Sequence, residues 1–130
     1  MKHFFILIVV FLFCFSPQTQ ASTKDCNLNP SKNSKNYIIG YGSLMERESR
    51  MITNPQAHRV EPVLVKGFQR VWGQNGGNYK TTFLTLIEKK DAKLNAIFYS
   101  VNIENLLKTD QRERSYCRIK VDEKNLHLCY

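Results

Sequence analysis

The chain has 130 residues, 42% of them hydrophobic, with 19 Lys and Arg against 11 Asp and Glu. That length holds one independently cored domain, and this mixture of apolar and charged residues excludes wholesale disorder. No apolar run reaches the roughly 18 residues that a membrane-spanning helix requires, which leaves a small, basic globular domain.

The N-terminus departs from those averages. Lys2 and His3 precede an unbroken apolar run from Phe4 to Phe15, and Ser16, Pro17 and polar residues then lead to Ala21. A charged start, a short apolar stretch and small residues around a cleavage point read as a secretory signal peptide over residues 1–21. Export to the periplasm or the extracellular space is therefore expected, after cleavage near Ala21, with no stable membrane span once the signal has gone. Residues 22–36, rich in Asn, Ser and Lys, read as a flexible lead-in. Residues 37–130 form the expected domain.

In that domain, residues 37–41 read as a short buried strand stopped by Gly42 and Ser43. Residues 44–56 look irregular or briefly helical. Residues 60–72 are β-rich, with Pro62 and Gly67 marking an edge or a bulge. Asn75-Gly76-Gly77-Asn78 is a turn of the hairpin kind, followed by a strand at 81–88, a charged turn at 89–93 and a further strand at 94–101. Asn102 suits the N-cap of a short helix with Ile103, Leu106 and Leu107 on one face. Residues 116–121 alternate as a strand, and 126–130 supply a last one. The expected class is α+β, a small mixed barrel or rolled sheet.

Cys14 leaves with the signal, so Cys26, Cys117 and Cys129 remain. Cys117 alternates with Ile119 and Val121 on the face expected to be buried, where a cysteine behaves as a small hydrophobe. The expected disulfide is Cys26 to Cys129, tying the two ends of the domain together, and three unpaired thiols are the alternative. His127 and Cys129 are separated by one residue, which matches no zinc spacing, and no metal or cofactor is expected. Lys108, Arg112, Arg114, Arg118, Lys120 and Lys124 make the densest basic set. No nucleic-acid motif accompanies them, so they read as a solvated basic face and nucleic acid is not an expected partner.

Two segments could carry chemistry. In Gly40-Tyr41-Gly42-Ser43-Leu44 a third glycine would have to fall on Met45, which excludes a dinucleotide fingerprint, and no phosphate-loop Lys follows. Glycines at a strand end can still aim successive N–H groups at one point, a nest for a carboxylate or an oxyanion. An ordinary strand-ending turn has the same spelling. The second segment is Asp110-Gln111-Arg112-Glu113-Arg114-Ser115-Tyr116. Glu113 sits where a helix ends and a buried strand begins; desolvation there raises a carboxyl pKa and strengthens the base, whereas Arg112 or Arg114 aimed at it would lower the pKa. A solvated charged turn is the competing reading.

Together, Tyr41-Gly42-Ser43-Leu44 after a buried strand, Gly67-Phe68-Gln69-Arg70-Val71-Trp72, a strand from 95 to 101, a short helix and the Glu113 segment resemble the γ-glutamylcyclotransferase family. The resemblance covers about residues 36–122. It implies a small mixed β-barrel with one or two short flanking helices, and an enzyme without cofactor or metal. In that family the α-amine of a γ-glutamyl peptide, amino acid or amine attacks its own γ-carbonyl, releasing 5-oxoproline and the amine. By resemblance, backbone donors of Tyr41, Gly42, Ser43 and Leu44 hold the glutamyl moiety, and Glu113 is the general acid/base. Tyr116 either lines the pocket or packs across strands. The chain ends soon after Tyr116, so a domain shortened at its C-terminus is expected. A non-catalytic binding or accessory protein that keeps a glutamyl-sized pocket is the alternative, and an exported basic domain binding anionic surfaces is a third.

Overall fold

The computed structural model describes residues 26–73 and 82–129, together with the backbone of residues 5–10. The strands are β1 (Phe5–Val10), β2 (Asn36–Gly40), β3 (Glu61–Trp72), β4 (Leu84–Val101), β5 (Cys117–Val121) and β6 (Leu126–Leu128). A 3₁₀ turn (Gly42–Met45) and helix α1 (Arg47–Met51) follow β2, and helix α2 (Ile103–Arg112) follows β4.

Ile38 and Ile39 are both fully buried, so β2 is covered on both faces. Alternation sends the two in opposite directions. Ile39 joins Val63, Val65, Leu86, Leu94, Ala96 and Ile119 in one core cluster. Ile38 joins Leu44, Ala57, Ile97, Tyr99, Val101 and Leu106 in the other, beneath α2 and the segment after β2.

The strand order is β5-β1-β2-β4-β3-β6. β1 runs parallel to β2, and the remaining pairs are antiparallel. The sheet is open, which corrects the expected barrel. Closure requires the two outer strands to pair in register. Among the described residues β5 pairs with β1, and three-residue β6 pairs with β3, so nothing joins the two edges. The result is a mixed α+β fold without a barrel. β1 lies inside the segment read as an export signal, and cleavage near Ala21 would remove it from between β2 and β5.

A second correction concerns the charged turn expected at 89–93. The chain does not reverse there, and β4 continues from Leu84 to Val101. Lys66 pairs with Lys93 and Phe68 with Glu88, so Lys89, Lys90, Asp91 and Ala92 all stand opposite Gly67. Gly67 (φ +89) and Asp91 (φ +67) take the left-handed backbone that this bulge requires. The hairpin turn expected at 75–78 lies outside the described residues.

The α2 start is as expected, with Asn102 Oδ1 accepting from the Asn105 N–H at 2.8 Å. Its buried residues are Asn105, Leu106 and Thr109, whereas Leu107 is half exposed, so the apolar face is narrower than Ile103, Leu106 and Leu107 implied. Asn105 Nδ2 donates to Asn54 Oδ1 at 3.1 Å, and Asn54 Nδ2 donates to the Ser100 carbonyl at 3.2 Å. These buried amides fasten α2 to the loop after α1.

Residues 26 and 27 of the lead-in are also fastened. Asn27 exchanges backbone and side-chain hydrogen bonds with Arg118 of β5, and Cys26 forms a disulfide with Cys117, Cα–Cα 4.9 Å. This replaces the expected Cys26–Cys129 bridge. Cys129 follows β6 at the opposite edge of the sheet, where it is exposed and unpaired. The disulfide spans 91 positions of chain. Replacing both cysteines by Ser is expected to cost about 2–5 kcal/mol in a urea titration. Arg118 is a further correction to the expected solvated basic face. It is 2% exposed, and its guanidinium meets the Asp110 carboxylate at 2.7 and 3.0 Å.

Candidate functional site

β2 ends where the next turn folds back on it. A Cβ at Gly40 would stand 2.9 Å from Leu44 Cβ, so glycine is what allows the close approach. Gly42 follows at φ +65, a conformation glycine adopts without steric cost. The 3₁₀ turn from Gly42 to Met45 then begins with N–H groups that have no partner within the turn.

The segment after this turn holds it in place. Glu46 caps α1 by accepting from the Glu48 and Ser49 N–H groups at 3.0 and 2.6 Å. Arg50 is 3% exposed and donates to the carbonyls of Ala57, Leu44 and Met45 at 3.1, 3.2 and 3.0 Å. Its guanidinium also lies 5.7 Å from the centroid of the buried Tyr99 ring. Arg50 therefore fixes the back of the turn, a role with no motif to announce it.

Helical periodicity delivers Glu113 to the same place. Leu106 and Thr109 lie on the buried stripe of α2, and Glu113 falls four residues after Thr109 on that stripe. It is the C-cap of the helix, its N–H donating to the Thr109 carbonyl at 2.8 Å. Glu113 is 9% exposed, and burial pushes its pKa above the ordinary value. The neighbouring Arg112 pulls the other way, with Nε 3.2 Å from Glu113 Oε1. Arg112 also donates to the Ser49 carbonyl and hydroxyl at 2.5 and 2.6 Å, and to Ser43 Oγ at 3.3 Å. One guanidinium thus links the Glu113 turn to the turn after β2. Burial and then the Glu113 charge raise the pKa of the Tyr116 hydroxyl, keeping it protonated at neutral pH.

All six residues singled out in the sequence line one cleft of about 150 Å³: Tyr41, Gly42, Ser43, Leu44, Glu113 and Tyr116. Among the described residues Phe83 and Leu84 line it as well. Leu84 opens β4 and Phe83 immediately precedes it, in a segment whose pattern reads as a strand but says nothing of which site it borders. Larger hollows of about 360 and 530 Å³ lie elsewhere, and neither includes Glu113 or the turn after β2.

The cleft brings a partly desolvated carboxyl together with the 3₁₀ turn after β2, beside the apolar side chains of Phe83 and Leu84. Such a set can orient a small polar ligand, exchange a proton with it and stabilise negative charge on it. Among the described residues no group of three or more His, Cys, Asp or Glu could hold a metal ion. No helix among them is long and apolar enough to cross a membrane.

No family model matches the sequence, and neither does any curated protein. Among solved structures the chain is similar to the solution structure of an Arabidopsis thaliana protein, at 15% identity and a TM-score of 0.47. The match covers 70% of this chain and 62% of the other, less than two thirds of that neighbour's length. A likeness at that level bears on neither activity nor substrate.

Proposed function

We propose that the cleft cyclises γ-glutamyl compounds to 5-oxoproline, as the resemblance to the γ-glutamylcyclotransferase family implies. The supporting observation is the meeting of Glu113, brought in by α2, with the Tyr41–Leu44 turn, brought in by β2. Ionised Glu113 takes a proton from the substrate's α-ammonium. The amine nitrogen attacks the γ-carbonyl carbon, and the oxyanion that forms is met by N–H groups of the turn. The C–N bond to the leaving amine then breaks as Glu113 returns the proton to that nitrogen, and the second proton of the ring nitrogen passes to the departing amine, which leaves as its ammonium. The products are 5-oxoproline and the free amine, with no water consumed.

Burial suits Glu113 to this task, because a carboxylate whose pKa is raised is the stronger base. Nucleophile and electrophile share one molecule, so holding a near-attack conformer can contribute roughly 7–11 kcal/mol. The reading is tested by product analysis with γ-glutamyl peptides, amino acids and amines. Equimolar 5-oxoproline and amine are expected. Glutamate in place of 5-oxoproline would show hydrolysis, and binding without product would favour the non-catalytic alternative.

We propose export as well, on the pattern of residues 1–21; the Cys26–Cys117 disulfide is compatible with an oxidising compartment. Protein recovered outside the cytoplasm is expected to begin near Ser22, as read by N-terminal sequencing. Cytoplasmic protein that retains Met1 and its leader would refute this.

A further inference from the structure

We infer that Trp72, Phe83 and Leu84 form the leaving-group wall of the cleft, and that the site prefers γ-glutamyl amides of aromatic amines over compounds whose leaving group carries a carboxylate. The inference rests on the cyclotransferase reading and names the leaving-group class that reading leaves open.

Size comes first. Clefts that enclose drug-sized ligands hold roughly 300–1,000 Å³. At about 150 Å³ this one accommodates a glutamyl-sized group and leaves the rest of a longer substrate outside. The surface next to it is apolar. Phe83 lines the cleft and is 39% exposed. Trp72, on the partner strand, is 77% exposed. Trp72 pairs with Leu84 in the β3–β4 ladder. Directly opposed residues share a face of the sheet, with Cβ atoms about 4.5–5.5 Å apart. Leu84 in turn reaches to 3.6 Å from the place a Cβ on Gly42 would take. A tryptophan so exposed adds little to either core cluster, yet it stands opposite Leu84 of the cleft, where its ring can stack on a second ring.

Charge points the same way. The described residues lining the cleft include one carboxyl, Glu113, and no Lys or Arg. Three guanidiniums of the described residues lie nearby, and all are engaged. Arg50 holds the carbonyls of Ala57, Leu44 and Met45. Arg112 holds Ser49, Ser43 and Glu113. Arg70 donates to Asn95 Oδ1 and to the Asn95 carbonyl at 2.6 and 2.5 Å. A carboxylate on the leaving group would give up water, meet no dedicated cation among the described residues and approach Glu113. A neutral aromatic group meets none of these penalties.

Four compounds separate the contributions: γ-glutamyl phenethylamide, γ-glutamyl phenylalanine, γ-glutamyl methylamide and glutathione. The first two differ by one carboxylate, and the first and third by the ring. Trp72 is the only tryptophan in the chain, so its fluorescence reports binding without turnover. The phenethylamide is expected to shift that emission saturably and to bind at least tenfold tighter than γ-glutamyl phenylalanine or glutathione. Its kcat/KM should exceed theirs by a similar factor. In Trp72→Ser and Phe83→Ser the kcat/KM ratio of phenethylamide to methylamide should fall about tenfold. Turnover without that preference, or a ratio unmoved by both variants, would overturn the inference and leave cyclisation standing. Selective binding of the phenethylamide without 5-oxoproline would do the reverse. No emission change and no turnover with any of the four would overturn both.

Discussion

Glu113→Gln is expected to lower 5-oxoproline release by about 10²–10⁴-fold, the usual contribution of one positioned acid/base group. The amide keeps the shape of the side chain but neither accepts the α-ammonium proton nor donates one to the leaving nitrogen. The same variant should be more heat-resistant at neutral pH. Burial raises the pKa of Glu113 in the folded protein above that of the unfolded chain. Its contribution to stability is then fully present below the unfolded pKa, where both states are protonated, and is lost as pH rises through the folded pKa. Glutamine has no charge to desolvate, so its Tm advantage should appear at neutral pH and vanish in acid. A rate profile for the unmodified protein should show an acidic limb above the ordinary carboxylate range. Equal activity in the variant would remove Glu113 from the chemistry.

Asp110→Ala should cost about 3–5 kcal/mol, the usual penalty for leaving one member of a buried ion pair alone. Arg118 is 2% exposed, and its Nε and Nη2 donate to the two Asp110 oxygens at 2.7 and 3.0 Å. Nη2 also reaches the Leu28 carbonyl at 2.9 Å, while Nη1 is buried without a partner. Little else can compensate the cation once the carboxylate has gone. Against a typical domain stability of about 5–15 kcal/mol the loss is large. Urea unfolding reads it directly, and replacing Arg118 by Met in the same chain should recover much of it. A change below about 1 kcal/mol would show that the pair is better solvated than its burial indicates.

The contrast between Glu113 and Asp110 shows what was legible in the sequence. Both belong to one charged segment after a helix. Glu113 could be singled out because it adjoins a predicted buried strand and carries a family resemblance, and the structure brings it to the same cleft as Tyr41, Gly42, Ser43, Leu44 and Tyr116. Asp110 carries no such mark, because its role depends on Arg118 being turned inward, which no local pattern encodes. Local signals gave local features. The Asn102 cap, the Gly67 bulge and the glycine turn after β2 each rest on the backbone preferences of a few residues.

Long-range features were harder to read. Alternation puts Cys117 on a buried face, where the structure has it, but its bridge to Cys26 depends on residues 26–28 folding onto β5. The open sheet depends on how short β5 and β6 are and on which neighbour each one finds. The charged stretch from Lys89 to Ala92 has the composition of a turn, and only its opposition to Gly67 makes it a bulge within one strand. Phe83 and Leu84 read as the start of a strand, and their place in the cleft comes from β3–β4 pairing far along the chain from the turn they face.

The most direct test of the central claim is a time course of 5-oxoproline release from γ-glutamyl amides, run side by side with the protein and Glu113→Gln, both shown to be folded by circular dichroism. The account predicts steady release of 5-oxoproline with an equal amount of amine by the unmodified protein, and at least 100-fold less by the variant. Release that is absent from both folded proteins, or equal in the two, would contradict it.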